Sequence, residues 1–227
     1  MTLPDPSVEC TVFLKKCCPA DEESFLRLCA IYGEYLYSIN ESLNLTSIPP
    51  EFFWSKHVAD SLSAACFFSS LREMRGLRLC DLGCGGGLPS LILAAAFPDV
   101  CVFAVDSRGK KVEFVRAAAE KMGLENLTAI HARGNELGRQ KEFHKNFDMV
   151  TARAVSDAKT LIHESASLLK REGSLIIYRT PAQAESEIEV LKKETSSPKW
   201  ELTSQIELPD AAGSRLFLTI FPNVKLK

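Results

Sequence analysis

Four of the chain's twelve glycines lie close together, at Gly83, Gly85, Gly86 and Gly87. They directly follow an apolar run, 77–82, which is the right length for a buried strand. A plain turn needs only one or two glycines, whereas a loop without side chains allows the backbone to approach a bound ligand. At the carboxyl end of a first parallel strand, such a loop is typical of a nucleotide-like cofactor site.

The spacing of these glycines separates two classes of cofactor. The dinucleotide pattern G-x-G-x-x-G fails, because counting from Gly83 places Leu88 at its last position. The segment 81–87 instead fits D-x-G-x-G-x-G and resembles the first motif of the S-adenosylmethionine-dependent methyltransferases. That cofactor has no phosphate but carries an ammonium and a sulfonium group, so an acid at the end of the strand suits it.

A second acid, Asp106, ends the next apolar run, 100–105. At the end of strand two, an acid is placed to accept hydrogen bonds from ribose hydroxyls. The alternative is that Asp106 caps the helix predicted to begin near Arg108. Taken together with the glycine loop, Asp106 indicates a cofactor site.

The elements that must position these residues alternate after Gly76. Short apolar runs predict strands at 77–82, 100–105, 127–130, 148–151 and 174–178, separated by helices at 88–97, 108–122 and 157–169. Several runs are apolar on both faces, as in a parallel sheet that is covered on both sides. The pattern predicts a doubly wound α/β sheet, closed by an antiparallel hairpin at 200–207 and 214–221.

The first 75 residues show no strand pattern and predict a helical cap. Residues 1–20 have no clear period and predict a loose arm, while helical spacing begins at Asp21. Pro49-Pro50 opens a second predicted helix, 51–70. We therefore divide the chain into an N-terminal arm and cap, 1–75, and a methyltransferase domain, 76–227.

The composition is that of an ordinary globular protein. The 227 residues are 46% hydrophobic and 25% charged, and the net charge of −2 argues against binding nucleic acid through bulk positive charge. The eight cysteines lack disulfide-scaffold density and metal-ligand spacing, so we expect reduced thiols that pack in the core. No signal peptide and no membrane-spanning run is recognised, which favours a reducing cytoplasm.

Three absences in the sequence narrow the methyl acceptor. The segment Thr151-Ala152-Arg153-Ala154 stands where amine methylation of nucleic acids commonly uses Asn/Asp-Pro-Pro-aromatic. No cysteine after Cys101 can attack a cytosine ring, and no metal-ligand cluster stands out. The remaining acceptors are nucleophiles that need only alignment, and N7 of guanine qualifies because no proton has to leave.

A set of motifs in a fixed order carries a more specific resemblance. These motifs are Asn44-Leu45-Thr46, His57-x-x-Asp60-Ser61-Leu62, the segment 81–89, Asp106-Ser107-x-Gly109-Lys110-Lys111 and Arg153-Ala154-Val155. Over about residues 30–180 the chain resembles the RsmG (GidB) family, whose members methylate N7 of one guanine, guanine 527, in 16S rRNA. The resemblance implies a seven-stranded sheet, S-adenosylmethionine as cofactor, and a bacterial cytoplasmic monomer acting on the small ribosomal subunit.

The resemblance also assigns roles to individual residues. The expected cofactor contacts are Asp81, Gly83, Gly85, Gly87, Leu88, Asp106, Asn135, Glu136 and Arg153. Gly83 and Leu88 would line the methionine side of the cofactor, Asp106 would hold the ribose, and Asn135 and Glu136 would flank the adenine. Arg153 would face the reaction centre as a positioning residue.

The candidate contacts to rRNA phosphates are basic residues after the predicted strands. Arg108, Lys110 and Lys111 follow strand two, and Arg179 follows strand five, where the family usually has Lys-Gly instead of Tyr178-Arg179. Two further departures are Ser90, where glycine is usual, and Asn135, where alanine is more frequent. His57 and Asp60 are three residues apart and share one helical face. This spacing favours the interpretation that they form a buried structural pair over the interpretation that they form a catalytic dyad.

Two other functions remain open from the sequence. The first is a methyltransferase that acts on a small molecule or a protein. The second is a non-catalytic RNA-binding factor that retains the cofactor fold, although the intact segment 81–89 argues against it.

Overall fold

A mostly parallel sheet forms the centre of the computed structural model, which describes residues 3–18, 20–66, 76–193, 198–203 and 205–225. Its strands are β1 (Arg78–Leu82), β2 (Cys101–Asp106), β3 (Leu127–His131), β4 (Phe147–Arg153), β5 (Leu169–Arg179), β6 (Pro198–Leu202), β7 (Ile206–Glu207) and β8 (Ser214–Lys225). Within the described ranges, seven strands follow the order β3-β2-β1-β4-β5-β8-β6, and the two-residue β7 pairs with the start of β8. β1 to β5 are parallel, whereas β8 is antiparallel to both β5 and β6. The predicted doubly wound sheet and its C-terminal hairpin are confirmed.

Helices connect these strands and build the cap. They are α1 (Val8–Cys17), α2 (Glu22–Leu43), α3 (Ser90–Ala96), α4 (Gly109–Met122), α5 (Gly134–Leu137), α6 (Ala158–Ser165) and α7 (Pro181–Lys193). In the part of the chain that the structure describes, no helix is both long enough and apolar enough to cross a bilayer.

The predicted loose arm at residues 1–20 is wrong, because α1 lies within it. The Ser7 hydroxyl accepts a hydrogen bond from the Cys10 amide and caps the helix. Cys10, Leu14 and Cys17 are buried on one face. The spacing is helical, but two of the three buried positions are cysteines, so the apolar pattern was weak.

The second helical segment of the cap, 50–66, is irregular. It begins with a 3-10 turn at Pro50–Phe52 and continues as a π-helical stretch, Phe53–Ala59, before a short α-helical turn, Asp60–Leu62. The widened stretch buries His57, and the turn that follows buries Asp60. The predicted end of this helix at residue 70 and the predicted cap boundary at 75/76 lie outside the described residues, and that boundary stays a prediction.

Two hydrophobic clusters cover the two faces of the sheet. Successive residues of β1, Leu79 and Cys80, belong to different clusters, as alternation in a strand requires. The Leu79 cluster also contains Phe25, Tyr32 and Leu36 of α2. The cap therefore packs directly on the sheet and reaches the edge where β1 and β2 end.

The cysteines are not uniformly the packing thiols that the sequence predicts. Cys10, Cys29, Cys80 and Cys84 are buried free thiols, and burial raises the pKa of Cys10 to about 12. Cys101 is an exposed free thiol, and Cys17 is disulfide-bonded. The prediction is wrong for these last two residues.

Candidate functional site

A cleft of about 580 Å³ opens at the carboxyl ends of β1, β2 and β4. It is lined by Leu45–Ile48 and His57 of the cap, Gly83–Gly86 and Leu88 of the glycine loop, Asp106–Arg108 and Lys111 from the end of β2 onward, 132–134 after β3, and Arg153–Ser156 from the end of β4 onward. Gly87 is not among these lining residues, and its expected contact with the cofactor stays a prediction. Ligands of open parallel sheets bind at this edge, outside the carboxyl ends of the strands. The cleft is therefore the candidate functional site.

The glycine loop needs glycine where it meets the turn after β4. Gly83 has a φ of +70°, and a Cβ built there would lie 2.6 Å from Val155 Cγ2. The Gly83 and Cys84 amides donate to the Val105 carbonyl oxygen, which ties the loop to β2. A side chain at Gly83 would both strain the backbone and displace Val155.

Asp81 supports the loop from below and does not line the cleft. Its Oδ2 accepts hydrogen bonds from the Ser90 hydroxyl at 2.7 Å and the Ser90 amide at 3.3 Å, and its Oδ1 accepts from Thr151 Oγ1 at 3.0 Å. Burial raises the pKa of this carboxyl to about 6, although the bonds from Ser90 and Thr151 oppose the shift. The expected cofactor contact of Asp81 is corrected to a supporting role. Ser90, which stands where the family usually has glycine, supplies the hydroxyl that binds Asp81 in this role.

Asp106 is at the cleft wall and also organises the two loops beside it. Its Oδ2 accepts from the Gly85 amide at 2.9 Å, and its Oδ1 accepts from the Arg108 amide at 2.8 Å. The carboxylate thus fixes the glycine loop and the start of α4 while it faces the cleft. The alternative that Asp106 caps the helix is wrong, because Arg108 is the N-cap of α4 and no side chain caps that helix, whereas the ribose contact stays a prediction.

The residues expected to flank the adenine lie where α5 begins. Ala132, Arg133 and Gly134 line the cleft after β3, whereas Asn135 and Glu136 do not. Glu136 turns back to accept a hydrogen bond from the Arg133 amide at 3.3 Å. α5 begins at Gly134, so both residues lie in its first turn, and their expected contact with the adenine stays a prediction.

Arg153 lines the cleft at the end of β4 and is bound to a buried acid of the cap. Its Nη1 donates to Asp60 Oδ2 at 2.9 Å. Arg215, at the start of β8, donates to the same carboxylate from Nε at 2.6 Å and Nη2 at 3.0 Å. The sequence did not single out Arg215, since one arginine at the start of a strand carries no motif.

His57 and Asp60 are buried but do not bond to each other, so the predicted pair is wrong in its partners. His57 Nε2 shares a hydrogen bond with Thr46 Oγ1 at 2.9 Å, and its buried Nδ1 has no partner among the described residues. Burial, and then the Arg153 charge, lower the pKa of His57 to about 3. The imidazole is therefore neutral at physiological pH.

The helix α2 fixes the cap side of the cleft. Asn40 Oδ1 accepts from the amides of Leu45 and Thr46, and its Nδ2 donates to the Thr46 carbonyl oxygen. One turn and two turns earlier, the Tyr37 and Tyr32 hydroxyls donate to the carbonyl oxygens of Ile48 and Gly86. These contacts were not predicted. The sequence signal that could have predicted them is Asn40, because an asparagine in the last turn of a helix can bind the backbone of the segment that follows.

The predicted basic contacts divide into two groups. Arg108 and Lys111 line the cleft, Arg133 joins them, and Lys110 is exposed beside them. Arg179 is buried and donates to Glu187 from Nε and Nη2, both at 2.9 Å, and to the Ser156 carbonyl oxygen at 2.6 Å. Its expected contact with RNA is therefore corrected to an internal ion pair.

The sheet order, the glycine loop after β1 and the acid that ends β2 define a cleft of the methyltransferase class. The structure is similar to that of an S-adenosylmethionine-dependent O-methyltransferase from Thermotoga maritima, at 20% identity and a TM-score of 0.54, over 85% of this chain and 72% of that chain. A putative rRNA methylase from Clostridium thermocellum matches at 17% identity and a TM-score of 0.52, over 74% of this chain and 96% of that chain. These likenesses show the fold.

The sequence identifies the family within this class. The profile of the rRNA small subunit methyltransferase G family, GidB, matches residues 26–211, and the chain belongs to this family. Ribosomal RNA small subunit methyltransferase G of Bacillus licheniformis is 35% identical over 192 residues, which cover 83% of this chain and 79% of the relative. The protein of the same name from Lysinibacillus sphaericus is 33% identical over 197 residues, which cover 86% and 81%.

Proposed function

We propose that this chain transfers a methyl group from S-adenosylmethionine to N7 of a guanine, position 527, in the 16S rRNA of the small ribosomal subunit. The observation that carries the proposal is the cleft, where the glycine loop, Asp106 and Arg153 converge beside Arg108 and Lys111. Such a substrate places the protein in the bacterial cytoplasm, and we expect it to act as a monomer.

The residues of the cleft fit the cofactor. The volume of about 580 Å³ lies in the range of small-molecule sites. Each Asp106 oxygen accepts one backbone amide, which leaves lone pairs for hydroxyl donors at the wall of the cleft. Gly83, Gly85 and Leu88 would hold the amino-acid side, Asp106 the ribose, and Ala132 to Gly134 the base.

When bound, the cofactor supplies an electrophilic methyl group on its sulfonium. The lone pair of guanine N7 is free, so the chain has to align the base but does not have to remove a proton. The neutral His57 and the amide-bonded Asp106 agree with a site built for alignment rather than for general base catalysis. Arg153 is placed to orient the reactants from the end of β4.

The RNA would be held by a local basic surface, because the net charge of the chain is −2. Arg108, Lys111 and Arg133 lie at the cleft and can contact phosphates, with Lys110 next to them. In A-form RNA, N7 lies in a deep and narrow groove that side chains cannot read. The target guanine should therefore lie in a loop or an irregular junction.

The proposal is tested with methyl-labelled cofactor and small subunits that lack the modification. We expect label in 16S rRNA and a new chemical cleavage at one 7-methylguanine. The Arg153→Gln variant, prepared in parallel, controls for contaminating host enzyme. Label confined to protein or small molecules, or subunit binding without transfer, would contradict the proposal. Naked rRNA, a partial particle and the whole subunit are compared to find the true substrate.

A further inference from the structure

We infer that Asp60 is a positioning residue for methyl transfer: it holds the Arg153 guanidinium at the cleft, and Arg215 holds Asp60 in place. The inference rests on the proposed function. It concerns how three separated parts of the chain cooperate, since Asp60 lies 93 residues from Arg153 and 155 from Arg215.

The three side chains form a compact cluster at the carboxyl edge of the sheet. Asp60 comes from the cap, Arg153 from the end of β4 and Arg215 from the start of β8. The Asp60 carboxylate is 3% exposed and accepts three guanidinium N–H bonds between 2.6 and 3.0 Å. A buried carboxylate is stable there only because these cations compensate for its lost hydration.

The two arginines use their donors differently. Arg215 directs Nε and Nη2 to Asp60 and Nη1 to the Ser214 carbonyl oxygen, so its fork is committed within the protein. Among the hydrogen bonds of the described residues, Arg153 gives only Nη1 to the protein, and its side chain is 15% exposed at the cleft. Arg153 therefore retains donors for a ligand, whereas Arg215 anchors the shared acid.

Two guanidinium groups face the Asp60 carboxylate, and the nearby His57 is neutral. A guanidinium recognises its partner through a planar fork, which makes its orientation as important as its charge. Asp60, which does not line the cleft, fixes that orientation through its bond to Arg153 Nη1.

A double-mutant cycle tests the inference. Single-turnover transfer to small subunits is measured for the wild type, Asp60→Asn, Arg153→Gln and the double variant, with thermal melting of each. We expect Asp60→Asn to slow transfer by about 10- to 100-fold with little change in the KM for subunits, as expected when reactants are misaligned. In the Arg153→Gln background the same change should add little, because the group that Asp60 positions is gone.

Asp148→Asn is the matched control. Asp148 is an ion-paired aspartate at the other end of β4, bound to Lys170 and to the Arg78 amide, and its replacement should leave transfer unchanged. Equal losses from Asp60→Asn in both backgrounds would mean that Asp60 does not act through Arg153. Such a result, with an active wild type, overturns this inference alone, whereas an inactive wild type overturns the proposed function and the inference together.

Asp60→Asn leaves two partly buried cations, so a second variant protects the test against loss of folding. Arg215→Gln removes the anchor but leaves the Arg153–Asp60 pair, and the Arg215 side chain is 22% exposed. We expect slower transfer in the wild-type background and no further loss in the Arg153→Gln background. A loss of equal size in both backgrounds would again contradict the inference.

Discussion

Arg153 and Arg179 end two neighbouring parallel strands, yet their surroundings are opposite. Arg153 pairs in register with Tyr178, so the two arginines lie almost side by side at the edge of the sheet. Arg153 shares one acid with Arg215 and faces the cleft. Arg179 is 4% exposed and has Glu187 as its own acid. Arg153, which shares its acid with a second arginine, faces the cleft, whereas Arg179, which has an acid of its own, is internal.

The connections after the two strands explain this difference. After β5 the chain enters α7 at Pro181, and this helix returns Glu187 to the end of the strand. After β4 the chain turns at Ala154, which has a φ of +54°, and α6 begins only at Ala158. The end of β5 is thus closed by a helix, whereas the end of β4 opens into the cleft.

The strongest test of this comparison replaces each arginine with glutamine. Arg179→Gln leaves Glu187 without its cation in a nearly buried site, and we expect a loss of about 3 kcal/mol in the free energy of unfolding. Arg153→Gln removes a positioning group and should slow methyl transfer on the order of 100-fold. Denaturant unfolding and single-turnover transfer are measured for both variants.

The main loss should be one of stability in Arg179→Gln and one of methyl transfer in Arg153→Gln. Transfer per folded molecule should change far less in Arg179→Gln than in Arg153→Gln, and the loss of stability should be larger in Arg179→Gln. If Arg179→Gln abolishes transfer without destabilising the fold, Arg179 contacts the RNA and the comparison fails.

The second prediction concerns the other strand end that faces the cleft. Asp106→Ala removes the acceptor expected to bind the ribose and should weaken cofactor affinity by about 30-fold, or about 2 kcal/mol, as for hydrogen bonds to a charged group. Titration calorimetry measures the affinity. Asp99→Ala changes an exposed aspartate that precedes the same strand and should leave the affinity unchanged. Equal affinities of Asp106→Ala and wild type would show that Asp106 does not hold the ribose.

The third prediction uses the pH dependence of stability. His57 titrates near 6.5 in the unfolded chain and has a pKa of about 3 in the folded protein, so folding favours its neutral form. Its contribution is complete above about pH 6.5 and decreases as the pH falls, by up to about 1.4 kcal/mol per pH unit. The stability difference between wild type and His57→Asn should therefore shrink by about 2 kcal/mol between pH 6.5 and pH 5.

The stability of His57→Asn has to be subtracted from that of the wild type, because Asp81 makes the stability of both proteins depend on pH in the opposite direction. The raised pKa of Asp81, about 6 instead of 3.8, makes its contribution largest at low pH and removes it as the pH rises through this interval. His163→Asn, which replaces an exposed histidine in the last turn of α6, is measured in parallel as the matched control. A constant difference between wild type and His57→Asn would contradict the buried, neutral imidazole.

The smallest expected effect is that of Ser90→Ala. It removes the 2.7 Å hydrogen bond to Asp81 and should cost about 1 kcal/mol of stability, while the backbone amide of residue 90 still donates. The pKa of Asp81 should rise further, because the serine bond opposes the effect of burial. Thermal melting against pH measures both changes. Ser186→Ala, which alters an exposed serine of α7, is the control.

Much of the fold was predictable because its signals are local. Buried parallel strands are apolar on both faces, and Gly83 has to be glycine at a φ of +70° against Val155, so both leave a mark in the sequence. α7 was missed because its buried face is narrow, with Ala184 and Leu191 among many polar residues. α1 was missed because two of its three buried residues are cysteines.

The cleft was predictable only in part. The cation at Arg153 and the acid at Asp106 follow from strand ends, but Asp81 has the same local signature and lies beneath the loop. Asn135 and Glu136 lie in α5, next to the lining residues 132–134, and sequence patterns place the start of such a helix only to within a few residues.

The class of fold, the position of the glycine loop and the family follow from the amino-acid sequence, because each depends on residue types at short spacings. Which charged side chains face the cleft depends on how the chain folds. That outcome depends on pairings such as Asp60 with Arg215 and Glu187 with Arg179, and on whether a helix covers the strand end. An arginine adopts a cleft-facing or an internal role according to the nearest acid, and that acid is positioned by folding and not by proximity along the chain.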